Sequence, residues 1–278
     1  MSRGNFRVAL LQLKVGVDID ENLNRARKFI EEGKRGGASL VALPECFNSP
    51  YGTQFFSKYA ESIPNGKTGE MLSNAAKENG IFLVGGSYPE IEDSKYYNTC
   101  TVWNPKGDMI SKFRKMHLFD IDIPGGITFK ESDILSAGNE LAVFEMNGIK
   151  IGIGICYDLR FEELAKLYRL KGCDILIYPG AFNMTTGPKH WELLQRARAV
   201  DNQVYVMSVS PARGEKGYIA WGHSQVTNPW GEVIAQAGSS EEIIYCDINL
   251  AECGKIRQQI PIFDQRRTDL YVTTSCNK

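Results

Sequence analysis

The stretch "GIKIGIGICYDLRFEE", from Gly148 to Glu163, constrains the fold more than any other. Side chains alternate across a strand, so Ile151, Ile153 and Ile155 face one way and Gly152, Gly154 and Cys156 the other. One face is apolar. The other is stripped to glycine and finishes in a thiol. Such glycines leave room for a close approach to that face. After the thiol comes Tyr157-Asp158 and a helix start, with Asp158 as its expected N-cap. The result is a strand-to-helix elbow. A thiol just before a helix N-terminus sees the positive end of the dipole, which favours thiolate. On this stretch alone, a packed core cysteine and a presented nucleophile weigh about equally.

The flanking pattern alternates strands and helices. "FRVALLQL", "SLVALPE", "IFLVGGSYPE", "YYNTCTVWN" and "MISKFRKMHLF" read as strands, with helical spacing over 20–35 and about 68–79. Asn104 to Gly107 and Asn147-Gly148 are hairpin turns. The segment 119–139 is punctuated by glycine and proline and reads as loop. Helices are expected over 161–170 and 189–201, then further strands, and from Asn249 a helix and a tail. "GASLVALPE" and "GCDILIYPG" echo each other: each follows a helix and ends a strand near a proline. Either this is a common α/β joint, or the chain holds two similar halves around one core. A layered α/β fold with mixed sheets is expected, as one domain spanning 1–278, with its core over about 6–250 and a tail over 251–278.

Composition removes several function classes. Lys+Arg total 32 and Asp+Glu 33, which is no nucleic-acid footprint. No apolar run is long enough for a bilayer, and no apolar leader opens the chain. A cytosolic location is expected, with mitochondrial presence left open. The 7 cysteines are odd in number and include no C-x-x-C, so no disulfide framework is expected. His117, His190 and His223 lack metal-ligand spacing, so no metal site is expected.

A thiol nucleophile needs a base and an anion stabiliser. His117 and His190 would serve a papain-like protease, but no "CGSCW"-type block accompanies Cys156. Glu45 ends "SLVALPE" among apolar neighbours, and burial would raise its pKa into a base's range. Lys115 sits in "KFRKMHLFD", at the end of a strand pattern. Singly, Glu45 is more simply a strand-end charge, and Lys115 one basic residue beside Lys112 and Arg114.

Together they carry more. "LPEC", "FRKMHLFD" and "GIGICYDLRF", in this order, resemble the three signatures of the nitrilase superfamily, the carbon–nitrogen hydrolases. "PECFNSPYG", "HLFDIDIPG", "PGAFNMTTGPKHWELLQRARAVDNQVYV" and "AWGHSQVTNPWGEV" resemble its omega-amidase branch. The resemblance covers nearly the whole chain. It implies a four-layer α-β-β-α sandwich, a homodimer, and no cofactor. It also implies Glu45 as general base, Lys115 as stabiliser of the tetrahedral intermediate, Cys156 as nucleophile, and Glu131 in "ITFKES" as a second glutamate orienting substrate and lysine.

The implied reaction is hydrolysis of the terminal amide of small dicarboxylate monoamides, 2-oxoglutaramate and 2-oxosuccinamate, through a cysteine thioester with release of ammonia. Alternatives are another superfamily amidase, an N-carbamoyl hydrolase or a nitrilase. A scaffold protein that has lost catalysis is a further class, against which the intact Glu45, Lys115 and Cys156 argue. The backbone N–H of Tyr157 is the expected second oxyanion donor. Arg160 is the expected partner of the substrate's carboxylate, because its planar fork matches one. Tyr51, Thr185 and Thr186 are candidate hydroxyl donors. The expected partner is a small-molecule amide, with no nucleic acid and no membrane.

Overall fold

The computed structural model describes residues 5–276. The chain runs β1 (Phe6–Gln12), α1 (Ile19–Arg35), β2 (Leu40–Ala42), α2 (Thr53–Tyr59), α3 (Lys67–Asn79), β3 (Phe82–Val84), β4 (Tyr88–Glu92), β5 (Lys95–Trp103) and β6 (Met109–Arg114). A small hairpin, β7 (Asp120–Asp122) and β8 (Thr128–Lys130), leads through a 3-10 turn (Glu131–Asp133) to β9 (Ala142–Met146) and β10 (Ile149–Ile153). A second 3-10 turn (Cys156–Arg160) precedes α4 (Glu162–Leu170), β11 (Ile175–Pro179), α5 (Gly187–Asn202) and β12 (Tyr205–Val209). The chain then forms β13 (Gln225–Thr227), β14 (Val233–Gln236), β15 (Glu242–Ile248) and α6 (Ala251–Gln259).

Two sheets stack face to face. The first has the order β15-β1-β2-β3-β5-β4, with β6 also paired to β5. The second has the order β14-β13-β12-β11-β10-β9. Period-two patterning explains the layers. On β1, Val8 and Leu10 turn toward the second sheet, while Ala9 and Leu11 pack under Leu23, Ala26 and Ile30 of α1. On β2, Leu40 and Ala42 face inward and Val41 outward in the same way. Helices α4 and α5 cover the outer face of the second sheet through Leu164, Tyr168 and Trp191. The architecture is the expected four-layer sandwich.

The echo between "GASLVALPE" and "GCDILIYPG" has a topological basis. Strand β2 lies between β1 and β3, parallel to both. Strand β11 lies between β10 and β12, parallel to both. Each segment is therefore the middle strand of a parallel three-stranded core with crossover helices.

The bare glycine face has a different use from the one its sequence suggests. A Cβ on Gly152 would stand 2.6 Å from Tyr168 Cγ, and one on Gly154 would run into the Tyr178 ring. The room is filled by two buried tyrosines, not held open for a ligand. The loop segment 119–139 also holds more than loop, since the β7–β8 hairpin and a 3-10 turn lie within it. Helix α2 was not foreseen. Among the described residues no helix is long and apolar enough to cross a membrane.

Candidate active site

Glu45 follows β2, Lys115 directly follows β6, and Cys156 follows β10, so three strand ends converge. Ends of parallel strands are where α/β sheets leave a crevice. Alternation decides the fate of the basic run at the end of β6. Lys112 and Arg114 point to one face and pair with Glu90 at 3.0 and 2.7 Å. Lys115 falls on the Phe113 side and is fully buried. It is therefore not one of three equivalent surface cations.

Buried, Lys115 Nζ donates to Glu45 Oε1 at 2.9 Å and to Glu131 Oε1 at 3.0 Å. Both carboxylates are fully buried as well. Glu131 is fixed by three donors: Lys115, the Tyr51 hydroxyl at 2.6 Å, and the Phe119 N–H at 2.7 Å on Oε2. Glu45 Oε1 also accepts from Asn98 Nδ2 at 2.9 Å, while Oε2 is buried without a hydrogen-bond partner. Burial would pull the lysine's pKa down. Glu131 and Glu45 more than offset it, so the ammonium is held well above its ordinary range. For Glu45 burial dominates over Lys115, and its carboxyl is raised.

Cys156 opens the second 3-10 turn with a positive φ of 49°, which side chains other than glycine seldom adopt. This is the elbow. Glycine at 180 permits it, because a Cβ there would lie 3.1 Å from Cys156 Cα. The Ala181 N–H donates to Sγ at 3.4 Å. The thiol is nearly inaccessible, and burial followed by the charge of Glu45 pushes its pKa well up. That corrects the sequence expectation of a thiolate: Lys115 and the Ala181 N–H pull the other way but do not win. The thiol in turn lowers the Glu45 carboxyl, although no bond of ordinary geometry joins them. Burial thus raises both members of the pair, the Cys156 thiol and the Glu45 carboxyl.

Asp158 also differs from expectation. It lies inside the 3-10 turn, and Phe161 stands at the cap position of α4. Its Oδ2 reaches back to the Ile155 N–H at 2.9 Å. Neither histidine serves the thiol. His117 Nδ1 stands 2.7 Å from Asp158 Oδ1, and His190 Nδ1 stands 3.2 Å from Arg160 Nη1.

A cleft of 590 Å³ reaches Glu45, Cys46, Tyr51 and Tyr218, with Lys14, Arg213 and Lys216 along its walls. Beyond Ala181 and Tyr218 lies a recess too tight for water, lined by Phe119, Cys156, Tyr157, Arg160, Phe182 and Thr186. Arg160 thus lies beside the thiol. Its guanidinium stacks 4.8 Å from the Phe182 ring, and it has no acidic partner within 4 Å among the described residues. Its Nε is buried without a hydrogen-bond partner. Tyr157 stands at the N-terminal end of the elbow turn. Tyr51 departs from its expected use, because its hydroxyl proton is committed to Glu131. Thr186 lines the recess. Thr185 does not, and both their backbone N–H groups bond Asn183 Oδ1. Sequence reasoning missed Asn98, Tyr218 and the Phe119 and Ala181 N–H groups. Asn98 lies mid-strand in "YYNTCTVW", where a lone amide on the strand face it shares with Cys100 and Val102 was the available signal.

The carbon–nitrogen hydrolase family model matches residues 7–258. The omega-amidase NIT2 of Xenopus tropicalis is 61% identical over 267 residues, covering 96% of each chain. Omega-amidase NIT2 of Homo sapiens is 57% identical over 96% of this chain and 97% of its own. Among solved structures, Saccharomyces cerevisiae Nit3, of branch 10 of the nitrilase superfamily, superposes with a TM-score of 0.88 at 46% identity, covering 96% of this chain and 98% of its own. The chain belongs to the carbon–nitrogen hydrolases of the nitrilase superfamily.

Proposed function

We propose that this chain is an omega-amidase that hydrolyses the terminal amide of 2-oxoglutaramate and 2-oxosuccinamate, releasing ammonia and a dicarboxylate. The observation that carries the reading is the buried Lys115, bonded to Glu45 and Glu131 beside the Cys156 thiol. Glu45 takes the thiol proton on its unpartnered Oε2, and the Cys156 sulfur attacks the amide carbon. The transfer conserves the site's net charge, so it avoids isolating a new charge in a dry interior. The oxyanion that forms is met by the Lys115 ammonium and by the Tyr157 N–H. One such donor is worth about 2.7–4 kcal/mol of barrier. The tetrahedral intermediate collapses to a thioester as protonated Glu45 hands its proton to departing ammonia. Water, deprotonated by the same carboxylate, then hydrolyses the thioester.

Substrate choice follows from Arg160. A half-buried cation without an acidic partner suits a substrate that brings its own carboxylate. The Phe182 and Tyr218 rings must yield to admit it. Lys14, Arg213 and Lys216 outnumber Glu45 and Glu215 in the cleft, which favours anions. The names of the similar omega-amidases support the same choice. A homodimer is part of the proposal, and exposed Leu193, Val200 and Trp230 support it as apolar groups in need of cover. Ammonia release from 2-oxoglutaramate, a peptide and a nitrile tests the activity. The ω-amide should turn over fastest, and Cys156→Ala should abolish turnover. Faster hydrolysis of the nitrile would overturn the reading.

A further inference from the structure

The lysine and the nucleophile leave different sheets: Lys115 follows β6 of the first, and Cys156 follows β10 of the second. The faces between them are apolar. Apolar packing is non-directional and sets the spacing of two layers better than their register. Hydrogen bonds have sharp geometry and can set register. One buried carboxylate supplies them here. Asp158 Oδ2 accepts from the N–H of Ile155, the residue before the nucleophile, at 2.9 Å. Asp158 Oδ1 accepts from the N–H of His117, two residues after the lysine, at 3.0 Å. The same Oδ1 accepts from His117 Nδ1 at 2.7 Å. The imidazole in turn lies flat on Phe161, with centroids 3.6 Å apart and planes 9° apart. Capping its own turn would need only the Ile155 bond, so the two bonds to His117 do something else. They tie the end of β6 to the elbow.

We propose that Asp158 and His117 form a bracket that holds Lys115 in register with Cys156, acting as positioning residues for amide hydrolysis without touching substrate. The proposal rests on the assignment of Lys115 as oxyanion donor and Cys156 as nucleophile. Attack on the amide needs the ammonium placed where the oxyanion forms, and a displacement of about 1 Å can cost about a hundredfold in rate. Alkylation of the thiol by iodoacetamide passes through no tetrahedral oxyanion and needs no such placement.

The test compares full-length wild type with His117→Ala, His117→Phe and His117→Asn. His117→Phe keeps the stack on Phe161 and removes only the ring donor. His117→Asn keeps a donor near the position of Nδ1. Four quantities are read: kcat and KM for ammonia release, the melting temperature, and the rate of Cys156 alkylation followed by peptide mass spectrometry. His117→Phe and His117→Ala should lower kcat by about tenfold or more. KM and the alkylation rate should stay within about twofold, and His117→Asn should regain most of the lost kcat. An unchanged kcat in His117→Phe overturns the proposal. So does a loss of alkylation that matches the loss of kcat, or His117→Asn as slow as His117→Ala. Should wild type leave 2-oxoglutaramate intact, the functional reading fails instead, and the same ratios are read on whichever amide wild type hydrolyses.

Discussion

Asn98 Nδ2 donates to Glu45 Oε1 across 2.9 Å, the same oxygen that accepts Lys115 Nζ. Two donors on one oxygen pin the carboxylate and leave Oε2 buried and unpaired. Asn98 therefore aims the base. A hydrogen bond to a charged group is worth about 1.5–3 kcal/mol. Asn98→Ala should accordingly cut kcat by about tenfold to a hundredfold. Alkylation of Cys156 should slow as well, since the misaligned base serves both reactions. Wild-type kcat in Asn98→Ala would show that Lys115 alone orients Glu45.

Lys115 is a structural counter-ion as well as a donor. Lys115→Met leaves Glu45 and Glu131 facing the vacated space, both fully buried. Breaking a buried ion pair by removing one partner costs about 3–5 kcal/mol. Like charges relieve this by protonating one carboxyl, so the folded-state pKa rises above the unfolded value. The folded state then holds more protons, and stability falls as pH rises. The melting temperature of Lys115→Met should lag wild type more at pH 8 than at pH 5. Adding Glu131→Gln should recover stability without recovering kcat. A gap independent of pH would count against this account.

The raised Cys156 pKa predicts an order of labelling. Burial and Glu45 keep the group a thiol near neutral pH, and the thiolate is the species that alkylates. Cys276 is exposed, unlike the other six cysteines. Iodoacetamide should mark Cys276 first in the native protein. Labelling of Cys156 should accelerate with pH to beyond the ordinary thiol range. Peptide mass spectrometry against time, at several pH values, checks this. Saturated labelling of Cys156 below pH 7 would mean a stabilised thiolate after all.

Arg160 is predicted to discriminate on charge. Removing the cation leaves the substrate's carboxylate unpaired beside Phe182, at a cost of about 1.5–3 kcal/mol. Arg160→Met should raise KM for 2-oxoglutaramate by about tenfold or more, with kcat much less changed. A neutral ω-amide without that carboxylate should be nearly unaffected. Equal losses on both substrates would make Arg160 a structural residue, held by His190 and the aromatic rings for packing alone.

The site was legible where chemistry follows the chain and illegible where it crosses between strands. Glu45, Lys115 and Cys156 each end a strand pattern, which made them candidates, and the resemblance of their surroundings to the family signatures assigned their roles. Asn98 reaches Glu45 because β3 joins its strand to β2, and it lies beside Lys115 because its strand pairs with β6; such pairing leaves no local trace. Tyr51 carried a visible hydroxyl, but its bond to Glu131 spans 80 residues. The sign of the Cys156 shift was misjudged for a similar reason: a dipole is readable from a helix start, whereas burial against Glu45 is a tertiary fact. Asp158 showed itself as a cap, and which N–H groups it would cap depended on where the 3-10 turn began.

The glycine face that looked like an approach to the thiol is a socket, and Gly152 tests it. Tyr168 is fully buried, and its hydroxyl both donates to the Ile153 carbonyl and accepts from the Ala142 N–H. Anchored at that end, the ring cannot slide away from a methyl group 2.6 Å from its Cγ. Overpacking of this kind costs about 1–3 kcal/mol. Gly152→Ala should therefore lower the melting temperature by several degrees, while kcat per folded molecule stays near wild type because the elbow lies beyond the clash. Pairing it with Tyr168→Leu should cost less than the sum of the two single changes, as expected for residues in contact. Fully additive losses would mean that the ring does not occupy the space above Gly152. A large fall in kcat at unchanged stability would return that space to the substrate.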